Sequence, residues 1–383
     1  MYQQSRTCTN GNERINRNEH INGNKRINGE EYMSQKKVFE KKMSSDKDGL
    51  RFATPEPVAK YRAARLACGV IADISCGIGG QTIYFAQRCK HVYAVEIDPL
   101  KLEYAKQNCA KHGLSNVTFI CGDALDPAVT AQIQNVDIVF SDPYRPPEEE
   151  TRQAASLRPA IPAVMEAYAG KTQNFAFEAP PQMPPERIDF DCEKEYISLN
   201  GQLNRLTLYF GKIKRYDRIA VSLPEGSAMV NAPVELPPMV ETDKPMLFVF
   251  EPDPAVIAAG LLNELVDDMI KAVGGAVRVI QIDKKRVLLT ADLLAVHPMT
   301  KNNYIMLRVM PFETENDYTK INEFLKKSNV GKVTLRGSID PKNYWGVRNK
   351  LEAELDGTKK VHLYLTEKEA GRKEAWLCEL IYE

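Results

Sequence analysis

Two patterns of hydrophobic and polar residues alternate between positions 70 and 179. Short apolar runs of strand length, rich in branched residues, occur at 70–75, 92–97, 117–121, 136–141 and 175–179. Between them, apolar residues recur at helical spacing over 79–88, 99–111 and 160–169, and Asp98 is placed to cap the second of these helices. Strands and helices that alternate in this way predict βαβ units, and therefore a parallel sheet with helices on both faces.

The pattern changes after Pro184. Three strand-like segments follow without helices between them, at 195–199, 203–210 and 218–223, and we expect them to form an antiparallel edge of the same sheet. Residues 51–230 are therefore predicted to form one α/β domain with a Rossmann-like sheet. The proline-rich residues 231–245 are predicted to be a linker.

A second, smaller domain is predicted over residues 246–383. Its strand-like segments lie at 246–250, 276–290, 303–311, 331–336, 360–365 and 375–382, and its helical segments at 254–272 and 317–327. Because strands and helices are both present without a regular alternation, this part of the chain is predicted to be a small α+β domain.

The first 50 residues carry few side chains that could build a core. They repeat Asn-Gly and Arg-Ile-Asn themes with almost no aromatic or branched residue at core spacing, so they cannot offset the entropy cost of ordering the chain. We predict a disordered tail over 1–50, with Thr54 capping a helix that opens with Pro55. The methionines at 33 and 43 leave open that this stretch is an over-extended start.

Composition narrows the class of protein only slightly. The chain is 43% hydrophobic and 27% charged, as soluble globular proteins are, and no apolar run reaches the roughly 20 residues of a membrane span. Its 51 Lys and Arg balance 51 Asp and Glu, so net charge indicates no partner. No C-x-x-C pair and no secretory signal are present, and we therefore expect reduced thiols and a cytoplasmic protein.

A glycine-rich turn follows the first strand and leads into a helix. It reads Asp73-Ile-Ser-Cys76-Gly77-Ile-Gly79-Gly80-Gln-Thr82. Such a turn lets a ligand approach the main chain near the positive end of a helix. The third glycine of the dinucleotide fingerprint is absent, so the turn is better suited to a nucleotide-type ligand without phosphates.

Acidic residues follow the next three strands. Glu96 ends the second strand, where a carboxylate accepts hydrogen bonds from both hydroxyls of a ribose. Asp123 follows the third strand, where it can accept from an exocyclic adenine amine, and Asp142 follows the fourth. Because the carboxyl ends of parallel strands meet at one edge of the sheet, the four signals together predict a cofactor site there.

These segments carry a resemblance to a known class of enzymes. DISCGIGGQTIYFA, AVEIDPLKLEYAKQNC and FICGDAL resemble the class I S-adenosylmethionine-dependent methyltransferases, and in detail are similar to the trimethylguanosine synthase (RNA cap guanine-N2 methyltransferase) group. ISLNGQLNRLTLYFG and FVFEPDPAVIAAGLLNELV resemble a prokaryotic class I methyltransferase family with a THUMP-like C-terminal domain. The likeness covers the chain from about residue 51 to its end.

The resemblance implies S-adenosyl-L-methionine as cofactor and assigns its contacts. Asp73, Gly77 and Gly79 would form the pocket on the methionine side, and Cys76, Gly80 and Thr82 of the same turn are further predicted cofactor contacts. Glu96 would hold the ribose, Asp123 with Ala124 would frame the adenine, and Ile97 and Asp142 are also predicted cofactor contacts. Methyl transfer from a sulfonium needs no metal, and none is predicted.

The motif after the fourth strand departs from the resemblance. Base amino-group methyltransferases commonly carry D-P-P-Y, or S-P-P-W in the cap group, whereas this chain reads Asp142-Pro143-Tyr144-Arg145. These three residues, Asp142, Pro143 and Tyr144, are the predicted catalytic residues: the carboxylate would orient an amine and the ring would stack on a base. Because one proline is missing, the stacking role of Tyr144 stays open.

Substrate contacts are predicted for three further residues. Arg145 could meet a phosphate or be a surface arginine in a proline-rich loop. Glu178 and Pro180 follow the fifth strand and could cover the substrate pocket or belong to a plain connecting loop.

The primary hypothesis is methylation of an RNA base, with guanine N2 favoured and RNA as the partner. A methyltransferase acting on a protein or small molecule is the alternative within enzymes. A hypothesis outside enzymes is an RNA-binding or assembly protein that retains the methyltransferase fold without activity. The acceptor and the oligomeric state are not indicated by the sequence.

Overall fold

The computed structural model describes residues 39–144, 157–283, 286–311, 318–337, 339–340, 342–367 and 373–381. These residues form two compact units. The first unit contains the described parts of 39–231 together with 254–261, and the second contains those of 232–253 and 262–381. Arg145 and residues 1–38 lie outside the described part of the chain.

The first unit is built on a nine-stranded sheet with helices along the chain between its parallel strands. The helices are α1 (Lys47–Phe52), α2 (Glu56–Arg65), α3 (Thr82–Arg88), α4 (Pro99–Lys111), α5 (Pro127–Thr130), α6 (Ile161–Tyr168) and α7 (Pro254–Ala259). The strands are β1 (Val70–Asp73), β2 (His91–Glu96), β3 (Val117–Cys121), β4 (Ile138–Ser141), β5 (Phe175–Ala179), β6 (Glu193–Leu199), β7 (Gln202–Phe210), β8 (Arg218–Leu223) and β9 (Ser227–Val230). Their spatial order is β3-β2-β1-β4-β5-β7-β6-β8-β9.

Strands β1 to β5 are parallel, as the apolar runs predict. Every residue of β4 and β5 is buried, because helices cover both faces of the sheet. Phe85 of α3 and Phe140 of β4 pack edge to face with ring centroids 5.3 Å apart in the core on one of these faces. Helix α4 begins after Asp98, whose side chain accepts from the N–H groups of Leu100 and Lys101, as predicted.

The predicted antiparallel edge is only partly antiparallel. Strand β7 runs antiparallel to β5 and β6, and β9 runs antiparallel to β8, but β8 pairs in parallel with β6. The reason is that the tight β6–β7 hairpin, with positive φ at Asn200 and Gly201, places β7 inside the sheet, so β8 joins the far side of β6.

The predicted disordered tail is wrong for residues 39–50. Asp46 caps α1 by accepting from the N–H of Gly49, and the Asn108 side chain of α4 bonds the main chain of Ser44 at 2.6 and 2.8 Å. Asn108 also donates to the carbonyl of Ile78 in the glycine-rich turn. Because polar side chains rather than a periodic apolar face anchor this segment, the hydrophobic pattern does not reveal it.

We expect a chain that begins at residue 51 to unfold at a lower temperature than one that begins at residue 39. The shorter chain loses the hydrogen bonds between Ser44 and Asn108 and leaves buried Asn108 without these partners. A loss of roughly 2–4 kcal/mol corresponds to a decrease in Tm of about 5–10 °C for a unit of this size. Differential scanning calorimetry of the two chains measures it, and equal Tm values would show that residues 39–50 contribute nothing to stability.

Helix α2 starts one residue later than predicted. Its first residue is Glu56, and Pro55 stands at the capping position without a side-chain cap, while Thr54 is buried. Proline at this place is compatible with the helix because the N–H it lacks would have no partner within the helix.

The second unit contains a seven-stranded, mostly antiparallel sheet and three helices. Its strands are β10 (Phe248–Pro252), β11 (Val277–Asp283), β12 (Arg286–Ala291), β13 (Thr300–Pro311), β14 (Val330–Gly337), β15 (Lys359–Glu367) and β16 (Lys373–Leu380), in the order β11-β12-β10-β13-β16-β15-β14. Within this sheet, β14 and β15 are the only described strands that pair in parallel. The helices are α8 (Leu262–Val273), α9 (Thr319–Lys327) and α10 (Tyr344–Leu351), and the last of these was not predicted.

A single helix predicted over 254–272 is two helices. Gly260 has a φ of +65° and ends α7 before α8 begins at Leu262. The apolar periodicity continues across the break and therefore does not mark it. In the part of the chain that the structure describes, no helix is long and apolar enough to cross a membrane.

Candidate active site

The carboxyl ends of β2, β1 and β4 lie side by side and bring three carboxylates together. β1 pairs with β2 on one side and β4 on the other, so Asp73, Glu96 and Asp142 follow adjacent strands. The charges of Asp142 and Glu96 act on Asp73 and contribute to raising its pKa. The sequence predicted this grouping at one edge of the sheet, and the structure confirms it.

Asp73 is a buried carboxylate at the centre of this group. Its Oδ2 accepts a hydrogen bond of 2.6 Å from the Thr82 hydroxyl at the start of α3, whereas Oδ1 has no hydrogen-bond partner among the described residues. Burial raises the pKa of Asp73 to about 7, although the Thr82 hydrogen bond acts in the opposite direction. A buried oxygen without a partner needs a donor, and a ligand in the crevice can supply one.

The glycines of the turn have different tasks. At Gly77, with φ +54°, an added Cβ would meet no described atom within 4 Å, so the main chain faces open space. At Gly79, with φ +84°, a Cβ would lie 3.2 Å from the Cα of Ala105 in α4, and Gly80 lies similarly close to Ala53. Gly77 therefore leaves room for a ligand, while the other two permit close packing of helices.

Cys76 belongs to the core and not to the open side of the turn. Its side chain is buried in a cluster with Ala94, Leu102 and Ala105, and its N–H donates to the carbonyl of Val95. Burial raises the pKa of the Cys76 thiol well above its ordinary value. The sequence predicts Cys76 as part of the cofactor pocket, whereas the structure places its side chain in this cluster.

The Glu96 carboxylate is fixed in place by main-chain donors. Its Oε2 accepts from the N–H of Gly77 and its Oε1 from the N–H of Asp98, each at 2.9 Å. Because each carboxylate oxygen accepts more than one hydrogen bond, Glu96 can still receive two hydroxyl groups. The neighbouring Ile97 side chain is 66% exposed, which offers an apolar surface beside this acceptor.

The turn after β3 is held by its own hydrogen bonds. Asp123 is exposed, and its Oδ1 accepts from the N–H of Leu125 at 2.9 Å. Ala124 is buried, and its carbonyl accepts from the hydroxyl of Tyr168 in α6. The turn therefore presents a rigid edge next to β2, where the predicted adenine contacts would be made.

The main chain at the end of β4 is tied to the glycine-rich turn. The N–H of Asp142 donates to the Ser75 hydroxyl at 2.6 Å. Two residues later, the main chain of Tyr144 pairs with that of Arg158 in both directions, and the Tyr144 side chain is 65% exposed. Pro143 between them is buried. Asp142 and an exposed aromatic ring are thus held beside the crevice by the main chain.

Glu178 lies in a buried ion pair, not on the substrate side of the crevice. Its side chain has no exposed surface and pairs with the equally buried Arg62 of α2, and its Oε2 lies 3.4 Å from Arg205 Nε. Pro180 is also buried. The predicted substrate contacts of Glu178 and Pro180 therefore disagree with their positions, because the fifth strand and its first loop residues are covered on both sides.

Arg62 is a residue of this region that the sequence did not single out. It donates to Gln81 of the glycine-rich turn at 2.9 Å and to Thr207 of β7 at 3.2 Å. Burial alone would lower its pKa, but Glu178 and more distant anions, Asp142 among them, raise it overall. A signal for its burial was present in the sequence, because Arg62 lies on the same helix as the apolar residues Val58, Ala59 and Ala63, which are buried.

Residues 68–157 match the family model described as RNA cap guanine-N2 methyltransferase. Over 84 residues, 21% of this chain, the sequence is 40% identical to an uncharacterized RNA methyltransferase of Staphylococcus epidermidis (strain ATCC 12228) and 39% identical to one of Staphylococcus aureus (strain N315). The chain spans only 18% of the length of these two curated relatives.

The fold extends further than the sequence match. The crystal structure of a Porphyromonas gingivalis W83 protein, provisionally described as a methyltransferase, superposes with a TM-score of 0.68 at 15% identity. The similarity covers 88% of this chain and 83% of that one. The superposition shows that the chain shares the fold of that structure, and residues 68–157 of the first unit match a methyltransferase family model.

The residues present fit S-adenosylmethionine. The open space at Gly77, the fixed acceptors of Glu96 and the unpartnered buried oxygen of Asp73 are features that a ligand with hydroxyl and ammonium donors would satisfy. Glu96 would hold the ribose, Ile97 and the turn at Asp123 would border the adenine, and Gly77 with Asp73 would receive the methionine part. When bound, the cofactor supplies an electrophilic methyl group.

Replacing Glu96 with alanine should weaken binding of S-adenosylmethionine by about 10- to 150-fold. The reason is the loss of charge-assisted hydrogen bonds to the ribose, each worth roughly 1.5–3 kcal/mol. Isothermal titration calorimetry measures the change. The matched control is Asp98→Asn, which keeps an oxygen to cap α4 and should bind as the parent does. If the alanine variant binds as tightly as the parent, Glu96 does not hold the ribose.

Proposed function

We propose that this chain methylates a nitrogen of an RNA base, with the N2 amine of guanine as the favoured acceptor. The observation that carries the proposal is the attachment of Asp142 to the glycine-rich turn through Ser75. This contact holds an acidic residue next to the site where the methyl group would be presented. The description of the family model and the names of the two staphylococcal relatives support RNA as the substrate.

Asp142 would make the amine a better nucleophile by orienting it. The lone pair of an exocyclic amine is delocalised into the base, and hydrogen bonds from its protons to a carboxylate and a carbonyl hold the nitrogen with its lone pair toward the methyl group. The cofactor would supply the methyl group, and the nitrogen that receives it would carry a positive charge. The Asp142 carboxylate would stabilise this charge until the nitrogen loses a proton to solvent.

Tyr144 would provide the surface on which the base stacks. Its ring is 65% exposed while its main chain is held by Arg158, so the ring is available without being part of the core. Stacking on an aromatic side chain is tolerant of the base and stabilises an unpaired nucleotide. The phosphate contact proposed for Arg145 rests on sequence position alone.

We propose that the second unit is THUMP-like and contributes to RNA binding. Its α+β content and the resemblance of residues 248–266 to a family with such a domain support this assignment. Cofactor binding by the first unit and acceptor binding by the second would then be separate tasks.

Mass spectrometry of nucleosides tests the proposal. Total RNA from cells with and without the gene is digested, and the modified nucleosides are compared. The proposal predicts that one methylated guanosine carrying the methyl at N2 is lost without the gene and restored by the parent chain, but not by Asp142→Ala. An unchanged set of modified nucleosides would instead favour a protein or small-molecule acceptor.

A further inference from the structure

The outer face of α10 combines an exposed tryptophan with positive charge. Tyr344, Val347 and Leu351 of this helix pack into the core with α9, β14 and β15. The opposite side presents Trp345, whose side chain is 48% exposed. Tryptophan is a large apolar side chain that is highly buried on average, so a half-exposed one on a short surface helix indicates a binding function.

Cations outnumber carboxylates around Trp345, where Asp340 accepts from the main-chain N–H of Lys342 and Glu352 pairs with Arg348. Residues 342–351, KNYWGVRNKL, contain three cations and no acidic residue. Trp345 and Asn349 are exposed and lie at positions i and i+4, so they form one stripe along the helix, and the exposed Lys342 stands just before its first residue, Tyr344. The Arg348 guanidinium lies 5.4 Å from the centre of the Trp345 ring while its Nε donates to Glu352 at 3.1 Å. We name the stripe with Lys342, Arg348 and Lys350 the Trp345 face.

We propose that the Trp345 face binds an unpaired segment of the acceptor RNA, with one base stacked on the indole and the phosphates facing Lys342 and its neighbouring cations. The inference rests on the proposed function, because it takes RNA as the acceptor. Charge complementarity selects this occupant: a polyanion with exposed aromatic bases matches an exposed aromatic ring on a segment that carries three cations and no acidic residue over 342–351. Arg348, fixed by Glu352, lies over one face of the indole.

The two tryptophans of the chain provide a selective signal. Trp376 in β16 has no exposed surface, whereas Trp345 is exposed. A base that stacks on the protein at the Trp345 face therefore quenches the emission of Trp345 and leaves that of Trp376 unchanged. The probe is a single-stranded RNA of mixed sequence and roughly 12 nucleotides, within the usual site size of single-strand binders.

The test compares variants of the full chain. The proposal predicts that the RNA quenches the parent's tryptophan emission, and that Trp345→Ala raises the Kd by about tenfold or more in fluorescence anisotropy with labelled RNA. Trp345→Phe should keep most of the affinity because a ring remains, while Trp345→Leu should resemble alanine. Lys342→Ala should reduce the slope of log Kd against log salt concentration by about one. The control is Lys271→Ala on α8, which removes another exposed lysine and should leave this slope unchanged.

The failure of this inference is distinguishable from failure of the proposed function. Transfer of labelled methyl groups to total RNA from cells lacking the gene is measured in parallel. If the parent methylates RNA but Trp345→Ala shows the parental Kd and the parental KM, the Trp345 face does not bind the acceptor. If the parent neither binds nor methylates RNA, the proposed function is wrong and this inference falls with it.

Discussion

Replacing Asp142 with alanine should leave the affinity for S-adenosylmethionine near that of the parent and reduce methyl transfer by about two orders of magnitude or more. A contact that is realised mainly in the transition state lowers the rate without weakening binding of the ground state. The Ser75 hydrogen bond goes to the main-chain N–H of Asp142, so the loop should keep its position in the variant. Single-turnover transfer to RNA and calorimetry with the cofactor measure the two quantities.

Asp142→Asn distinguishes orientation from proton removal. An amide oxygen still accepts a hydrogen bond from the amine but does not take up its proton, so partial activity supports an orienting role. If Asp142→Ala transfers methyl groups at the parental rate, the residues after β4 are structural, and the acceptor must be oriented by another part of the crevice.

Replacing Glu178 with alanine should lower the free energy of unfolding by about 3–5 kcal/mol. The substitution leaves the fully buried Arg62 guanidinium without its carboxylate partner and removes the neighbour of Arg205. Denaturant unfolding monitored by circular dichroism measures the loss. The matched control is Glu354→Ala, which removes an exposed partner of Lys326 and should leave the free energy of unfolding near that of the parent.

The same variant separates two roles for Glu178. Below its unfolding transition, Glu178→Ala should show the KM for acceptor RNA of the parent, because the buried carboxylate does not reach the substrate. If Glu178→Ala instead has parental stability and a raised KM, the result supports the substrate contact that the sequence predicted for Glu178.

The sequence predicted the sheet of the first unit and the place of the site on it. Strands β1 to β5 coincide with apolar runs, and the rule that ligands bind at the carboxyl ends of parallel strands groups Asp73, Glu96 and Asp142. The structure confirms this grouping. The roles assigned to these residues stay predictions until variants are measured.

Other features depend on contacts that a linear pattern does not contain. Residues 39–50 are anchored through Asn108, which lies 64 positions away from Ser44 along the chain. The burial of Glu178 depends on Arg62 approaching it from another element, 116 positions away. Since neither interaction produces a periodic apolar signal, the sequence suggested a tail in one case and a substrate contact in the other.

The hypothesis that the fold is retained without activity leaves two features without a purpose. The Glu96 carboxylate is held by main-chain donors, and the main chain at Gly77 faces open space. In the proposed function both features serve the cofactor, while Tyr144 and the second unit serve the acceptor.

A crystal structure of the chain with S-adenosylhomocysteine tests the central claim most directly. The account predicts the ribose hydroxyls at hydrogen-bonding distance, about 3 Å, from the Glu96 carboxylate. The amino acid part should lie against Gly77 and Asp73, and the sulfur should face Asp142. A ligand bound elsewhere, or one whose ribose is held by Asp98 while Glu96 makes no contact, would contradict the account.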